Sequence, residues 1–345
     1  SRGLGDVYKR QGYNNYGQLG QNNTQSYYSP VQIGSNINTW NSIACGYYRT
    51  MAIRTDGTLW AWGYNNKGQL GSNNTQSYSS PVQVGTNTWS SIAVGGTGHT
   101  LSIRSDGTLW SWGWNVYGQL GLVDTTDRST PVQVGTNTWS KIACGYYHSL
   151  AIRSDGTLWS WGYNAYGQLG LSNNSNKSSP SQIGTSNGWS SVACGGYYSL
   201  AIRSDGTLWG YGNNTHGQLG LSDLTIRYSP VQVGTNTWSK ISCGYFHSLA
   251  IRSDGTLWSW GANSFGQLGL SDITTRSSPV QVGTSNGWNS VASGLGHTLS
   301  IRSDSTLWAW GYNNAGQLGL SNTTDRYSPV QVGTNTWGNI SLGRL

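Results

Sequence analysis

Residues 155–170 read D-G-T-L-W-S-W-G-Y-N-A-Y-G-Q-L-G, and this passage decides the fold. The run T-L-W-S-W-G puts Trp159 and Trp161 on one side of an extended strand, because side chains alternate with a period of two. The S-D-G ahead of it reads as a turn, and the Asn- and Gly-rich stretch behind it as a loop. The passage recurs along the chain: G-Q-L-G begins at Gly17, Gly68, Gly118, Gly167, Gly217, Gly266 and Gly316, at spacings of 51, 50, 49, 50, 49 and 50. Outward from it, each period holds T-W-S-S-I-A-C-G, a short aromatic turn, H-S-L-A-I-R, S-D-G, T-L-W-S-W-G, the long loop and S-P-V-Q-V-G. That is four short strands per period, named A to D here in chain order. The small residues of I-A-C-G suit an innermost strand A, and the proline of P-V-Q-V-G suits an outer edge strand D. Such units predict an all-β, seven-bladed β-propeller of four-stranded antiparallel blades, with a linear solenoid as the structural alternative.

Composition agrees. The 345 residues include 50 Gly, 19 Trp, 21 Tyr, one Met and no Glu, which favours strands and turns over helices. Only 9% are charged, but 35% hydrophobic content suffices for a large core. The net charge of +7 is spread over isolated arginines, six of them two residues before an Asp in I-R-S/T-D, so no basic stripe points to nucleic acid. No apolar stretch approaches the ~20 residues of a membrane span, and no membrane insertion is expected. A monomer is expected, and the Asn, Thr and Tyr richness leans towards a secreted or cell-surface product. Cys45, Cys144, Cys194 and Cys243 share one repeat position with Val94, Ser293 and Leu342, which reads as a small buried strand site holding structural thiols rather than disulfides or metal ligands.

The combination G-Y-N-x-x-G-Q-L-G, P-V-Q-V-G, C-G-x-x-H-S-L-A and D-G-T-L-W-S-W-G resembles the repeat of the regulator of chromosome condensation family, from about Gly12 to Gly343. The resemblance implies a seven-bladed propeller whose termini share one blade. The B and C segments occur six times against seven of the others, so the seventh blade is expected to be incomplete, with A from the C-terminus, D from the N-terminus and no B or C. Residues 1–11 fit no repeat, and D-V-Y-K-R-Q at 6–11 resembles a translated transposon end, so they read as a non-native leader before a single propeller domain at 12–345. The native protein is then expected to be longer at both ends.

In an A-to-D meander the A–B and C–D connections leave on one face, and the B–C and D–A connections on the other. The second face carries near-invariant S-D-G and T-N-T turns. On the first, Tyr16, Lys67, Tyr117, Tyr166, His216, Phe265 and Ala315 precede G-Q-L-G, and the A–B turns offer Tyr47, Tyr48, Tyr146, Tyr147, Tyr197, Tyr198, Tyr245 and Phe246, with Thr97, Gly98, Leu295 and Gly296 as interruptions. These aromatics predict a binding collar, although simple packing over the propeller rim would also place them there. Tyrosine offers a large amphipathic contact area at low entropic cost.

No catalytic set emerges, so the chain is not expected to be an enzyme. His99, His148, His247 and His297 begin strand B where Arg49 and Tyr198 stand in other copies, which argues against a metal; the resemblance implies a structural hydrogen-bonding histidine there, and no cofactor is implied. The B–C aspartates repeat one turn, and Asp124, Asp127, Asp223, Asp272 and Asp325 lie among loop arginines that would pair with them. The expected function is a non-catalytic binding scaffold for an unidentified protein. A carbohydrate-binding propeller lectin, taking a glycan at repeated sites, is the alternative. Nucleotide exchange on a small GTPase is implied only by the resemblance, and periods of 49 to 51 residues leave no room for an inserted wedge.

Overall fold

The computed structural model describes residues 9–33, 40–338 and 340–342. Every helix or strand among them is a β-strand. Blade one pairs Trp40–Cys45, Arg49–Arg54, Thr58–Gly63 and the first part of Tyr78–Val94, antiparallel and in chain order. The plan repeats to blade six, which holds Trp288–Ser293, His297–Arg302, Leu307–Gly311 and Arg326–Gln331. Strand D is the outer edge, as expected. Its register breaks between the pairs Ala61↔Val82 and Gly63↔Tyr78, so Pro81 sits in a bulge where its missing N–H breaks no ladder bond.

The T-N-T segments differ from expectation. In Tyr78–Val94, Arg128–Cys144 and Arg227–Cys243 the D strand of one blade runs unbroken into the A strand of the next. Thr88 still pairs with Thr58 before Trp89 pairs with Arg104, so the chain bends from blade to blade without a separate turn.

Residues of all seven A segments, from Ala44 and Cys45 to Ser341 and Leu342, line one central cavity. The sheets therefore surround an axis, which excludes the linear solenoid. The four cysteines are reduced, buried and among the lining residues.

The core lies between blades. One apolar cluster joins Leu59, Leu70 and Val84 of blade one to Trp89 and Trp112 of blade two, and another joins Leu101, Leu109 and Val134 of blade two to Trp139 and Trp161 of blade three. Trp161 is fully buried, and its indole N–H donates to the Gln119 carbonyl of the preceding G-Q-L-G at 2.9 Å. The Ser149 hydroxyl donates to the same carbonyl at 2.8 Å. Trp62, Trp112, Trp260 and Trp310 repeat the arrangement on Gln18, Gln69, Gln218 and Gln267. Each G-Q-L-G loop is thus clamped by the blade that follows it.

Blade seven corrects one expectation. Lys9–Gly12 forms a strand on Tyr27–Gln32, with Lys9↔Gln32, Arg10↔Val31 and Gly12↔Tyr27 in the register of a C strand. Part of the stretch read as a leader therefore supplies the end of the C strand that the seventh blade was expected to lack. Gln11 stands at the position of the buried tryptophan: a Cβ on Gly319 would lie 2.6 Å from Gln11 Nε2, as one on Gly269 would lie 2.7 Å from Trp310 Nε1. Among the described residues the blade holds a two-stranded sheet, with Ile340–Leu342 lining the central cavity in the place of its A strand. This N-terminal piece closes the ring. It touches blade six through Ser29 Oγ to Ser321 Oγ at 2.9 Å and Gln11 Nε2 to the Gln317 carbonyl at 3.2 Å, and blade one through the Gln18 carbonyl, which accepts from Thr50 and Trp62.

Candidate functional site: an aromatic collar

Each C–D loop is built around a buried asparagine. Asn164 is fully buried; its amide donates to the Asn173 and Ser175 carbonyls at 2.9 and 3.1 Å, while its oxygen accepts from Leu169 N–H at 2.9 Å. Asn65, Asn115 and Asn313 repeat the set. The Gln168 side chain accepts from the Tyr166 N–H at 3.0 Å, which fixes the residue ahead of G-Q-L-G. The tips are therefore rigidly held while their identity varies. In three loops Arg128–Asp124, Arg227–Asp223 and Arg276–Asp272 pair locally, as expected.

The tips and A–B turns converge. Tyr16 packs on Tyr48 and Tyr64 with ring centroids 4.8 and 4.7 Å apart, and Tyr48 on Tyr47 at 6.0 Å. Tyr47 of blade one then meets Tyr146 of blade three at 5.6 Å. They bridge blade two because its turn has Gly96 there: a Cβ on Gly96 would lie 3.0 Å from Tyr146 Cδ2 and 3.4 Å from Tyr47 Cε2. Tyr146 also packs on Tyr147, Tyr197 and Tyr245 at 4.5, 5.7 and 5.3 Å. Tyr117 extends the cluster from Tyr147, Tyr166 from Tyr197, and Phe246 carries it from Tyr245 to a stacked His216 at 4.6 Å. Phe265 packs on Tyr312 and over Gly296. Lys67 is exposed and lies 3.6 Å from Asp127 of the next loop.

Most of these rings are half-buried, with Tyr16 and Phe265 exposed. Burial first, and then the neighbouring phenols, hold the Tyr147 and Tyr197 hydroxyls well above the ordinary tyrosine range, and Tyr48 and Tyr163 are raised by the same causes. Near neutral pH these phenols are uncharged hydrogen-bonding groups on an apolar surface.

The model of the RCC1-like domain matches residues 136–344, and that of the regulator of chromosome condensation (RCC1) repeat matches 11–53, 56–103 and 106–152. The chain belongs to the RCC1-like domain family. The ultraviolet-B receptor UVR8 of Arabidopsis thaliana is 39% identical over 74 residues, which span 21% of this chain and 17% of that receptor. Among solved structures, human WBSCR16 superposes with a TM-score of 0.87 at 23% identity, covering 98% of this chain and 96% of that one. Yeast RCC1 (Prp20), solved bound to Kap60, gives 0.85 at 20% identity, covering 97% and 85%. At these identities the solved structures support the fold alone.

In this RCC1-like propeller one expected collar residue is misplaced. Tyr198 is fully buried at the first position of strand B, with its hydroxyl donating to the His247 carbonyl of the next blade. Two glycines, Gly195 and Gly196, take up the start of that turn, so the second tyrosine falls where other copies carry histidine. Those histidines are buried too. His148 Nε2 lies 3.0 Å from Ser199 Oγ, and Arg49 at the same position donates to the Gly95 and His99 carbonyls, both at 2.8 Å. The position bridges adjacent blades, and among the described residues no cluster of three potential metal ligands occurs.

Sequence reasoning missed Tyr64, Trp114, Tyr163 and Tyr312, which follow the last glycine of strand C and complete the collar against Tyr16, Tyr117 and Phe265. Their signal was in plain view: the position after W-G or Y-G is Tyr or Trp in five of seven copies, counting Tyr13.

Proposed function

We propose that the chain is a non-catalytic scaffold whose aromatic collar docks another protein. The observation that carries this reading is the continuity of the cluster from Tyr16 through Tyr146 to His216, across loops from several blades. Half-buried tyrosines fixed by packing provide rigid contact area with polar tips, which is the composition enriched at protein interfaces. The cluster is also asymmetric, since glycines replace aromatics in blades two and six. An irregular surface suits one irregular partner better than a ligand bound identically at every blade. The solved relative Prp20p from Saccharomyces cerevisiae is described by its binding to Gsp1p and histones, which is consistent with a propeller used for protein contacts.

The test is proximity labelling of the intact protein in its source cells, comparing wild type with a Tyr146→Ser, Tyr147→Ser, Tyr197→Ser variant and with Asp155→Asn on the opposite face. The expected result is a set of proteins lost with the collar variant and kept with the other. Identical labelling by all three, at equal thermal stability, would overturn the reading.

A further inference from the structure

On the side away from the collar, in blades two, three and five, the arginine ending strand B lies close over the first tryptophan of strand C. Arg104 sits 3.5 Å from the Trp110 ring centroid, Arg153 3.7 Å from Trp159 and Arg252 3.7 Å from Trp258. The Nε of each is buried without a hydrogen-bond partner, and none of the three forms an ion pair among the described residues. The strand A tryptophan beside each one, Trp89, Trp139 or Trp238, is at most 3% exposed, and its indole N–H also lacks a partner.

Between blades four and five, Arg252 and Trp238 face a cavity of about 210 Å³, bounded also by Trp258, Gln232, Asn236 and Pro279, with no carboxylate among its lining residues. The adjacent Asp254 is already engaged, its carboxylate accepting from the Thr256 N–H and hydroxyl. The cavity between blades six and seven uses the equivalent Gln331, Asn335, Trp337 and Pro30 but has no arginine, while the lining of the Arg252 cavity recurs in sequence around Arg104 as Gln83, Asn87 and Pro131 and around Arg153 as Gln133, Asn137 and Pro180. A stacked guanidinium that lines a cavity with no acidic wall and no ion pair suits an oxyanion. The volume is below the roughly 300–1,000 Å³ of sites for drug-sized molecules and suits one ring, with tryptophan and proline as its apolar wall. Recurrence from blade to blade suits a polymer that repeats the same unit.

We propose that the grooves holding Arg104, Arg153 and Arg252 each take the carboxylate of one uronic acid residue, so that the disc holds an acidic polysaccharide at several points. The grooves of Arg203 and Arg302 are built differently: these guanidiniums lie 6.0 and 5.2 Å from their rings, and Arg203 donates to the Asn187 carbonyl at 3.4 Å. Arg54 stacks on Trp60 at 3.9 Å.

Calorimetric titration of the whole chain tests this with galacturonate, a galacturonate oligomer, a glucose oligomer and poly-glutamate as probes. The expected result is three or more equivalent sites for galacturonate, about tenfold or greater tightening with its oligomer, and no heat from the glucose oligomer. Arg252→Gln should remove one site. Because that arginine also packs on the blade, Gln232→Ala with Asn236→Ala, which leave the stack in place, should weaken one site at unchanged melting temperature. Tyr146→Ala in the collar should leave the titration unaltered, which separates this proposal from the collar reading. No galacturonate binding by the wild type, equal binding of the glucose oligomer, or poly-glutamate bound as tightly as the galacturonate oligomer would each overturn it.

Discussion

At the scale of single residues, the fold rests on side chains that reach from one blade into the next. Trp161 buries its whole ring between blades and donates to a carbonyl there. Trp161→Ala should cost about 3–5 kcal/mol, read from urea unfolding, as expected when a fully buried large ring is deleted; a loss below ~1 kcal/mol would contradict the packing described. The strand B histidines set the acid response. Burial, and then the charge of His297, pull His247 down to about 3, and burial pulls His297 down to about 4, against 6.5 for an ordinary histidine. Both are neutral in the folded state, so their contribution is fully present above pH ~6.5 and is lost as pH falls from there towards the folded values. The urea midpoint should fall over that window, and less so in His247→Tyr, a substitution that Tyr198 shows the site can hold. The sequence marks their position as interchangeable with Arg or Tyr, and the structure gives it a contact across blades, with His148 Nε2 3.0 Å from Ser199 Oγ. In the sequence Tyr198 has two places, in the aromatic A–B turn and at the start of strand B, and the structure puts it in the strand, fully buried.

At the scale of elements, the D–A connection controls what stacks on what. Where T-N-T-W joins the blades, Arg153 and Arg252 lie 3.7 Å from their rings. Where T-S-N-G-W adds a residue, with Gly188 and Gly287 at φ +89° and +91°, Arg203 and Arg302 stand off. Replacing residues 185–188 by T-N-T should bring Arg203 over Trp209 and add roughly 0.5–1 kcal/mol of cation–π stabilisation, visible as a changed near-ultraviolet dichroism of Trp209 and a higher urea midpoint; an unchanged signal would show that the loop does not set the stack. Strand number and order were legible because turn residues and period-two alternation recur in every copy. The continuity of D into A was not, because Gly85, Gly135 and Gly234 read as turn glycines, yet the strand runs through them and its pairing with strand C resumes at Thr88, Thr138 and Thr237.

At the scale of the whole molecule, seven periods of one length predicted a ring, and the common channel of the A strands bears it out. The shared blade was expected, but its C-strand piece was not. Lys9–Gln11 share no motif with T-L-W-S-W-G, and their place follows from backbone pairing with Tyr27–Gln32 alone. Paired cysteines at Ser29 and Ser321, whose hydroxyl oxygens lie 2.9 Å apart, should form a disulfide across that seam. They should raise the unfolding midpoint under oxidising but not reducing conditions, with a gain in stability of about 2–4 kcal/mol. Failure of the two thiols to join would place the ring open at this point.

The seam also orders events in time. Ser29 and Ser321 are separated by 292 positions, so at ~5–20 residues per second the ribosome delivers the second edge roughly 15–60 s after the first. For that interval an early strand waits unmated while blade after blade is added beside it, and a chaperone or a neighbouring nascent chain has its best opportunity to capture it.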